Sequence, residues 1–551
     1  MNEAAAECAP ASTPRRMTRR VLLQTGTGLA ATLVGARGGQ AAAQEDRPGA
    51  TPAASPAAPG RVTPERVALA VERAPALARQ ILERSGVPGM SVAIVFGDAP
   101  VYLGGFGVRQ LGESAAVDGD TVFQLASVSK PMAATVVASV VGDGTVEWTS
   151  RMADVDPSFA LRDAWPTQQV TIADLFAHRS GLRDRAGDAL EYLGFDRAEI
   201  IHRLRYLEPE YSFRAGYAYT NFGLTAAAAG VAKAVGVSWE DLCVARLYAP
   251  LGMAHTSSRF ADYMAEANRA SPHVKDGERW KVSPLPRNPD PQAPAGGASS
   301  TARDLVQWVR LQLGEGVLGG ARLIPAAALA PTQVPQSVMQ TPRDPAAQRA
   351  GFYGLGMAVS YTDFGTIQWN HSGGFPSGAA TAVYLLPEAG FGVLALTNGV
   401  PGGAPEALCL SVLDLAQRGE VASDYLGAMA PAFAAAMAET LGPTDWGTPP
   451  PEARPVLPDA AYLGTYRNDY YGDVAVVQAG GGLALRIGPK PLEFRLAHYD
   501  RDTFSWPAPI GDLRSGLSFT VGPDGQATAF RDEYLADGGA GLMLRAERPA
   551  P

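Results

Sequence analysis

The stretch Phe123-Gln-Leu-Ala-Ser127-Val-Ser-Lys130-Pro-Met132 decides the reading of this chain. It places a Ser-x-x-Lys pair at the start of an apolar helical run, Met132 to Val141. Residues three apart share a helix face, so the amine of Lys130 can reach the hydroxyl of Ser127. A serine hydroxyl is a poor nucleophile until a neighbouring base takes its proton. A lysine serves as that base only if burial and nearby positive charge lower its pKa. A helix N-terminus adds free backbone N–H groups that can hold an oxyanion. Alone, a four-residue pattern of this kind is weak, and its meaning depends on what else the chain carries.

Two further clusters have chemical content. Phe213-Arg-Ala-Gly216-Tyr217-Ala218-Tyr219-Thr220-Asn221 reads as a loop entering an alanine-rich helix, Leu224 to Val235, and sets a phenol and a carboxamide on one side of a turn. A phenol beside a lysine can shuttle protons. The plainer reading is a packed Tyr219 with Asn221 capping the helix. Gln368-Trp-Asn-His371-Ser372-Gly373-Gly374-Phe375 lies among strands expected at Met357 to Tyr361, Ala379 to Leu386 and Gly392 to Asn398. A Gly-Gly strand edge lets a substrate backbone come close. His178 closes an expected helix over Val170 to Leu182, where capping of the last carbonyls is the commoner role for a histidine.

Ser-x-x-Lys, Tyr-x-Asn and His-Ser-Gly in this order resemble the serine β-lactamase and penicillin-binding superfamily, in particular the class C β-lactamase, D-alanyl-D-alanine carboxypeptidase and esterase group. The resemblance spans about residues 64–418. It is supported by His178-Arg-Ser-Gly-Leu182, Pro250-Leu-Gly-Met253 and Ala295-Gly-Gly-Ala-Ser-Ser-Thr301. It implies an α/β (α+β) fold: an antiparallel sheet flanked by helices, with an all-helical subdomain. It also implies roles. Ser127 would form an acyl-enzyme and Lys130 would take its proton. Tyr219 would exchange protons with the leaving group, Asn221 would bind the substrate amide or the Lys130 amine, and His371, Ser372, Gly373 and Gly374 would bind substrate. The N–H groups of Ser127 and Gly374 would form the oxyanion hole. His371 stands where many members carry Lys, which removes a permanent cation and tilts the expectation from efficient β-lactamase toward peptidase, amidase or esterase. Ala215 stands where the family often has Pro. The rival reading is a penicillin-binding or sensor protein that is acylated without turnover.

Around this core, the first 43 residues read as a twin-arginine signal (Thr18-Arg19-Arg20-Val21-Leu22-Leu23-Gln24), with a small-residue cleavage site at Ala41-Ala42-Ala43. Export to the periplasm, the cell envelope or the extracellular space follows, with no stable membrane span after cleavage. Residues 44–63 form a Pro/Ala-rich linker, and 419–457 a helix followed by a Pro-rich linker. Residues 458–551 alternate over short stretches between Gly/Asp turns, which suggests a small antiparallel β-barrel resembling the lipocalin-like domain behind some family members. A structural appendage, lid or oligomer contact is its expected role. The hydrophobic content of 46% against 18% charged residues describes a globular chain. A net charge of -9 without a basic patch argues against nucleic acid and leaves a small molecule or peptide as the expected partner. The histidines and cysteines have no metal-ligand spacing, so no metal or cofactor is expected. A Cys243–Cys409 pairing is left open.

Overall fold

The structure, a computed structural model, describes residues 60–546 apart from 285, 343, 345–347, 442–443, 511–512 and 537–539. The twin-arginine stretch and most of the first linker lie outside the described residues.

Thr63 caps helix α1 (Pro64–Ser85), with Pro64 at a position where its missing N–H costs nothing, and Gly86 ends it at φ 69°. A hairpin follows, β1 (Gly89–Phe96) and β2 (Ala99–Gly107), paired antiparallel. Next come α2 (Ser129–Gly142), α3 (Ile172–Phe176), α4 (Asp188–Tyr192), α5 (Arg197–Arg203), α6 (Asn221–Val235) and α7 (Ala302–Leu313). Six strands complete the sheet: β3 (Ser337–Gln340), β4 (Gly351–Tyr353), β5 (Ala358–Tyr361), β6 (Ile367–Phe375), β7 (Ala379–Leu386) and β8 (Phe391–Thr397). Helices α8 (Ala404–Arg418) and α9 (Tyr425–Leu441) follow.

The order β2-β1-β8-β7-β6-β5-β4-β3 makes an eight-stranded antiparallel sheet. Successive side chains leave a strand on opposite faces, so each central strand serves two cores. Val92, Ile94, Tyr384 and Val393 pack under α1 and α8, whereas Ala93, Val95, Val383 and Leu394 face the layer of α2 and α7. Cys409 belongs to the first cluster and Cys243 to the second, and both thiols are free and buried, so they form no bridge.

Nine strands build the C-terminal sheet: β9 (Gly464–Asn468), β10 (Gly472–Ala479), β11 (Gly482–Ile487), β12 (Leu492–Arg495), β13 (Ala497–Asp500), β14 (Thr503–Pro507), β15 (Arg514–Val521), β16 (Ala527–Asp532) and β17 (Leu542–Arg545). Their order, β12-β11-β10-β9-β17-β16-β15-β14-β13, is a nearly closed antiparallel barrel around Tyr466, Trp506, Phe519 and Phe530. The sequence reading anticipates this barrel but misses β12 and β13. Their side chains are mostly exposed or half-buried and lack apolar alternation.

The helix expected over Val170 to Leu182 is shorter, ending at Phe176. His178 takes a left-handed backbone (φ 55°) and turns the chain toward the interior.

Candidate active site

Ser127 sits in a 3-10 turn, Ala126–Val128, that leads directly into α2. Ala126 before it is held at φ 47°, a conformation that costs a non-glycine residue about 1–2 kcal/mol. The strain is sustained by its surroundings: Leu125 N–H donates to the Ala298 carbonyl (2.8 Å), and Thr381 Oγ1 donates to the Leu125 carbonyl (2.7 Å).

One turn on, Lys130 is fully buried. Its ammonium donates to Ser127 Oγ (3.1 Å), Asn221 Oδ1 (2.7 Å) and the Ala295 carbonyl (2.9 Å), and lies 4.5 Å from the centroid of the Tyr219 ring. Ala295 comes from the Ala-Gly-Gly stretch, here a short helix over Ala293–Gly296. Burial disfavours the charged amine and brings its pKa down to about 7, with Asp188 opposing the shift and Arg287 adding to it. A lysine in this state is partly neutral near pH 7 and within reach of a serine proton.

Asn221 is the first residue of α6, three residues earlier than the alanine pattern suggests. Its Nδ2 donates to both carboxylate oxygens of Asp188 (3.1 and 3.0 Å). Asp188 is a site residue that sequence reading missed. Burial raises its pKa to about 6, with Glu191 adding and Arg287 opposing. Arg287 lies between the rings of Tyr192 and Phe375, 4.6 Å from each centroid, and pairs with Glu191.

The loop carrying Tyr219 is clamped from outside. Arg214, at φ 63°, bonds Asp174 through Nε (2.9 Å) and Nη2 (2.7 Å), and Arg179 joins it at 2.8 Å. Ala215 donates its N–H to the Ser212 carbonyl (2.9 Å), a bond that a proline there could not make. From inside, His178 Nδ1 accepts from Thr220 N–H (3.2 Å), and its ring lies 4.5 Å from that of Tyr219. Burial, with Lys130 and His371 adding to it, holds His178 well below the usual imidazole range. His178 is thus a neutral support of the Tyr-x-Asn loop and not a charged helix cap.

His371 faces the same interior. Its Nδ1 lies 2.7 Å from the Ser372 carbonyl, which can only accept, so Nδ1 carries the hydrogen. Nε2 then accepts from the Tyr353 hydroxyl (2.9 Å). Burial and the nearby Lys130 push the imidazole down to about 3, so it is neutral. Tyr353 on β4, also unflagged by sequence, closes an aromatic group with His178, Tyr217 and Tyr219.

Strand β5 pairs with β6 only as far as Asn370, which leaves the His371–Phe375 edge toward the nucleophile turn. A Cβ on Gly373 would overlap the Leu125 carbonyl oxygen and stand 2.9 Å from Ser127 N, so only glycine allows this approach. Gly374 points the other way, where a Cβ would stand 2.5 Å from Pro401. The Ser372 side chain also leaves the opposite face, beside Glu406 and Tyr384, so its contribution toward the nucleophile is its backbone. The structure thus gathers Ser127, Lys130, Tyr219, Asn221, His371 and Gly373. Among the described residues no cluster of three or more His, Cys, Asp or Glu side chains could hold a metal.

A serine held against a buried lysine beside an open strand edge is the arrangement of an active-site serine hydrolase. The β-lactamase family model matches residues 74–417, and the chain belongs to that family. A second model, a domain of unknown function (DUF3471), matches residues 448–538. Penicillin-binding protein 4 of Amycolatopsis lactamdurans is 30% identical over 325 residues, covering 57% of this chain and 81% of that protein. Unguisins hydrolase ungD' of Aspergillus campestris is 26% identical over 427 residues, 72% of this chain and 76% of that one. The octameric penicillin-binding protein homologue from Pyrococcus abyssi shares the fold at a TM-score of 0.53 and 16% identity, over 86% of this chain and all of that one. The chain is a serine hydrolase by family.

Proposed function

We propose that this chain cleaves an amide or ester bond through an acyl-enzyme on Ser127, and acts as a peptidase or esterase more than as an efficient β-lactamase. The observation that carries the reading is the Lys130 amine, buried and 3.1 Å from Ser127 Oγ. In this reading Lys130 takes the hydroxyl proton as Oγ bonds the substrate carbonyl carbon, and the carbonyl electron pair moves to oxygen. N–H groups at Ser127 and the Gly373–Gly374 edge receive that oxyanion. The carbon–nitrogen or carbon–oxygen bond then breaks, the leaving group takes a proton through Tyr219, and water releases the acyl group by the reverse route.

Neutral His371 supplies no fixed positive charge for a substrate carboxylate, which supports the preference against efficient β-lactam hydrolysis. Relatives named as a hydrolase of unguisins and as a penicillin-binding protein support a hydrolytic reading of the site. Export by the twin-arginine route belongs to the same proposal and rests on the sequence Thr18 to Gln24. Among the described residues no single helix is long and apolar enough to cross a membrane.

The test offers wild-type protein and Ser127→Ala a short-chain p-nitrophenyl ester, nitrocefin and a D-alanyl-D-alanine peptide. Steady turnover of the ester or peptide, lost in the variant, is expected. A stoichiometric burst without turnover would instead establish an acylated binding protein, and activity surviving in Ser127→Ala would overturn the assignment.

A further inference from the structure

The barrel is seated on the part of the molecule that holds Asp188. The turn joining β9 to β10 contains Tyr470, which is 2% exposed. Its phenol oxygen accepts a 2.8 Å hydrogen bond from the backbone N–H of Gly187, the residue just before α4. Arg203 on α5 fastens the same turn by donating to the carbonyls of Tyr470 (2.8 Å) and Asp469 (3.3 Å). At a second turn of the barrel, Gly488 (φ 98°) fits so closely over the Leu193 carbonyl that a Cβ would overlap it. One apolar cluster runs without a break through Leu190, Leu193 and Phe195 into Tyr470 and Tyr471.

Gly187 has no room for a side chain. At φ 98°, a Cβ on it would stand 2.5 Å from the Phe222 ring and 2.9 Å from Ile200. The next residue is Asp188, which receives Asn221 Nδ2, and Asn221 Oδ1 in turn receives the Lys130 ammonium. Tyr470, Gly187–Asp188, Asn221 and Lys130 thus link the second domain to the candidate base through hydrogen bonds joined by the Gly187–Asp188 peptide.

We propose that Tyr470 of the C-terminal barrel is a positioning residue for Lys130, so that the barrel completes the active site rather than merely following it. The inference rests on the reading of Ser127 and Lys130 as the reacting pair. Without the phenol oxygen, a buried N–H at the start of α4 loses its acceptor, and the helix is free to draw Asp188 back from Asn221. Lys130 is surrounded by Asp188, Arg287, Tyr219, His178 and His371, and among these Asp188 supports its charge. Retreat of Asp188 therefore lowers the pH at which the amine becomes neutral.

The experiment measures ester hydrolysis against pH for the full chain, with Tyr470→Phe, Asp188→Asn, the double variant, Ser127→Ala and Tyr471→Phe. Tyr471 donates within the barrel to the Leu535 carbonyl and serves as the control. Tyr470→Phe should lower kcat about tenfold at nearly constant KM, the scale of one unsatisfied buried amide. It should also move the acid limb to lower pH, as Asp188→Asn does, and the double variant should move it no further. Tyr471→Phe should leave both unchanged. A Tyr470→Phe enzyme with the wild-type kcat and acid limb, while Ser127→Ala is inactive, would overturn this inference alone. Equal losses in the two tyrosine variants, tracking thermal stability with no change of limb, would do the same. Activity in Ser127→Ala would remove the reading beneath it.

Discussion

The Lys130 ammonium stands 2.7 Å from Asn221 Oδ1, closer than its 3.1 Å approach to Ser127 Oγ, so the candidate base is held by its supports before it meets the nucleophile. The amine must be neutral to accept a proton. Acylation should therefore rise with pH through about 7 and level off above it, read as the pre-steady-state rate on a p-nitrophenyl ester. Lys130→Arg should lose about a thousandfold or more, because a guanidinium does not deprotonate at accessible pH.

The same burial costs the fold stability. A lysine near 7 when folded and near 10.5 when unfolded binds more protons unfolded between those values, so its contribution to stability improves as pH rises across that window. Lys130→Met should therefore melt higher than wild type at pH 7, and the advantage should shrink toward pH 10. Thermal unfolding at several pH values measures this.

Gly373 is expected to tolerate no side chain. Gly373→Ala should fold, yet lose about a hundredfold in kcat as the edge and the Ser127 turn are forced apart. Parallel kcat and melting measurements separate the two effects.

His371 should show one neutral tautomer, hydrogen on Nδ1, throughout the neutral range, because Ser372 and Tyr353 occupy its two nitrogens. Nitrogen NMR of the imidazole reads the tautomer directly. In Tyr353→Phe, Nε2 loses its donor and its resonance should shift, while Nδ1 keeps its hydrogen.

Arg287 is buried with Glu191 and disfavours the charged form of Lys130. Arg287→Gln should destabilise the protein by about 3 kcal/mol, the scale of a buried carboxylate that loses its charged partner. It should also move the acid limb of activity to higher pH, the opposite of Asp188→Asn. Denaturant unfolding and the pH profile test both signs.

Ser127 with Lys130 was legible because helical spacing alone brings the two together, and His371 with Gly373 because a Gly-Gly pair among expected strands marks an edge open to close approach. The helix start at Asn221 was obscured by the alanine run that follows it. Asp188, Arg287, Tyr353 and Tyr470 are single residues without local pattern, and only long-range packing gives them meaning: Tyr470 meets Gly187 from 283 positions away. Ser372 shows the converse. Its motif was legible, but the pleat sends its side chain to the far face, beside Glu406.

The most direct measurement is the mass of the enzyme quenched during turnover of a slow ester, followed by mapping of the modified peptide. One acyl group on Ser127, absent from Ser127→Ala and accumulating more slowly in Lys130→Arg, is the predicted result. An acyl group on any other residue, or turnover with none attached at any time, would contradict the account.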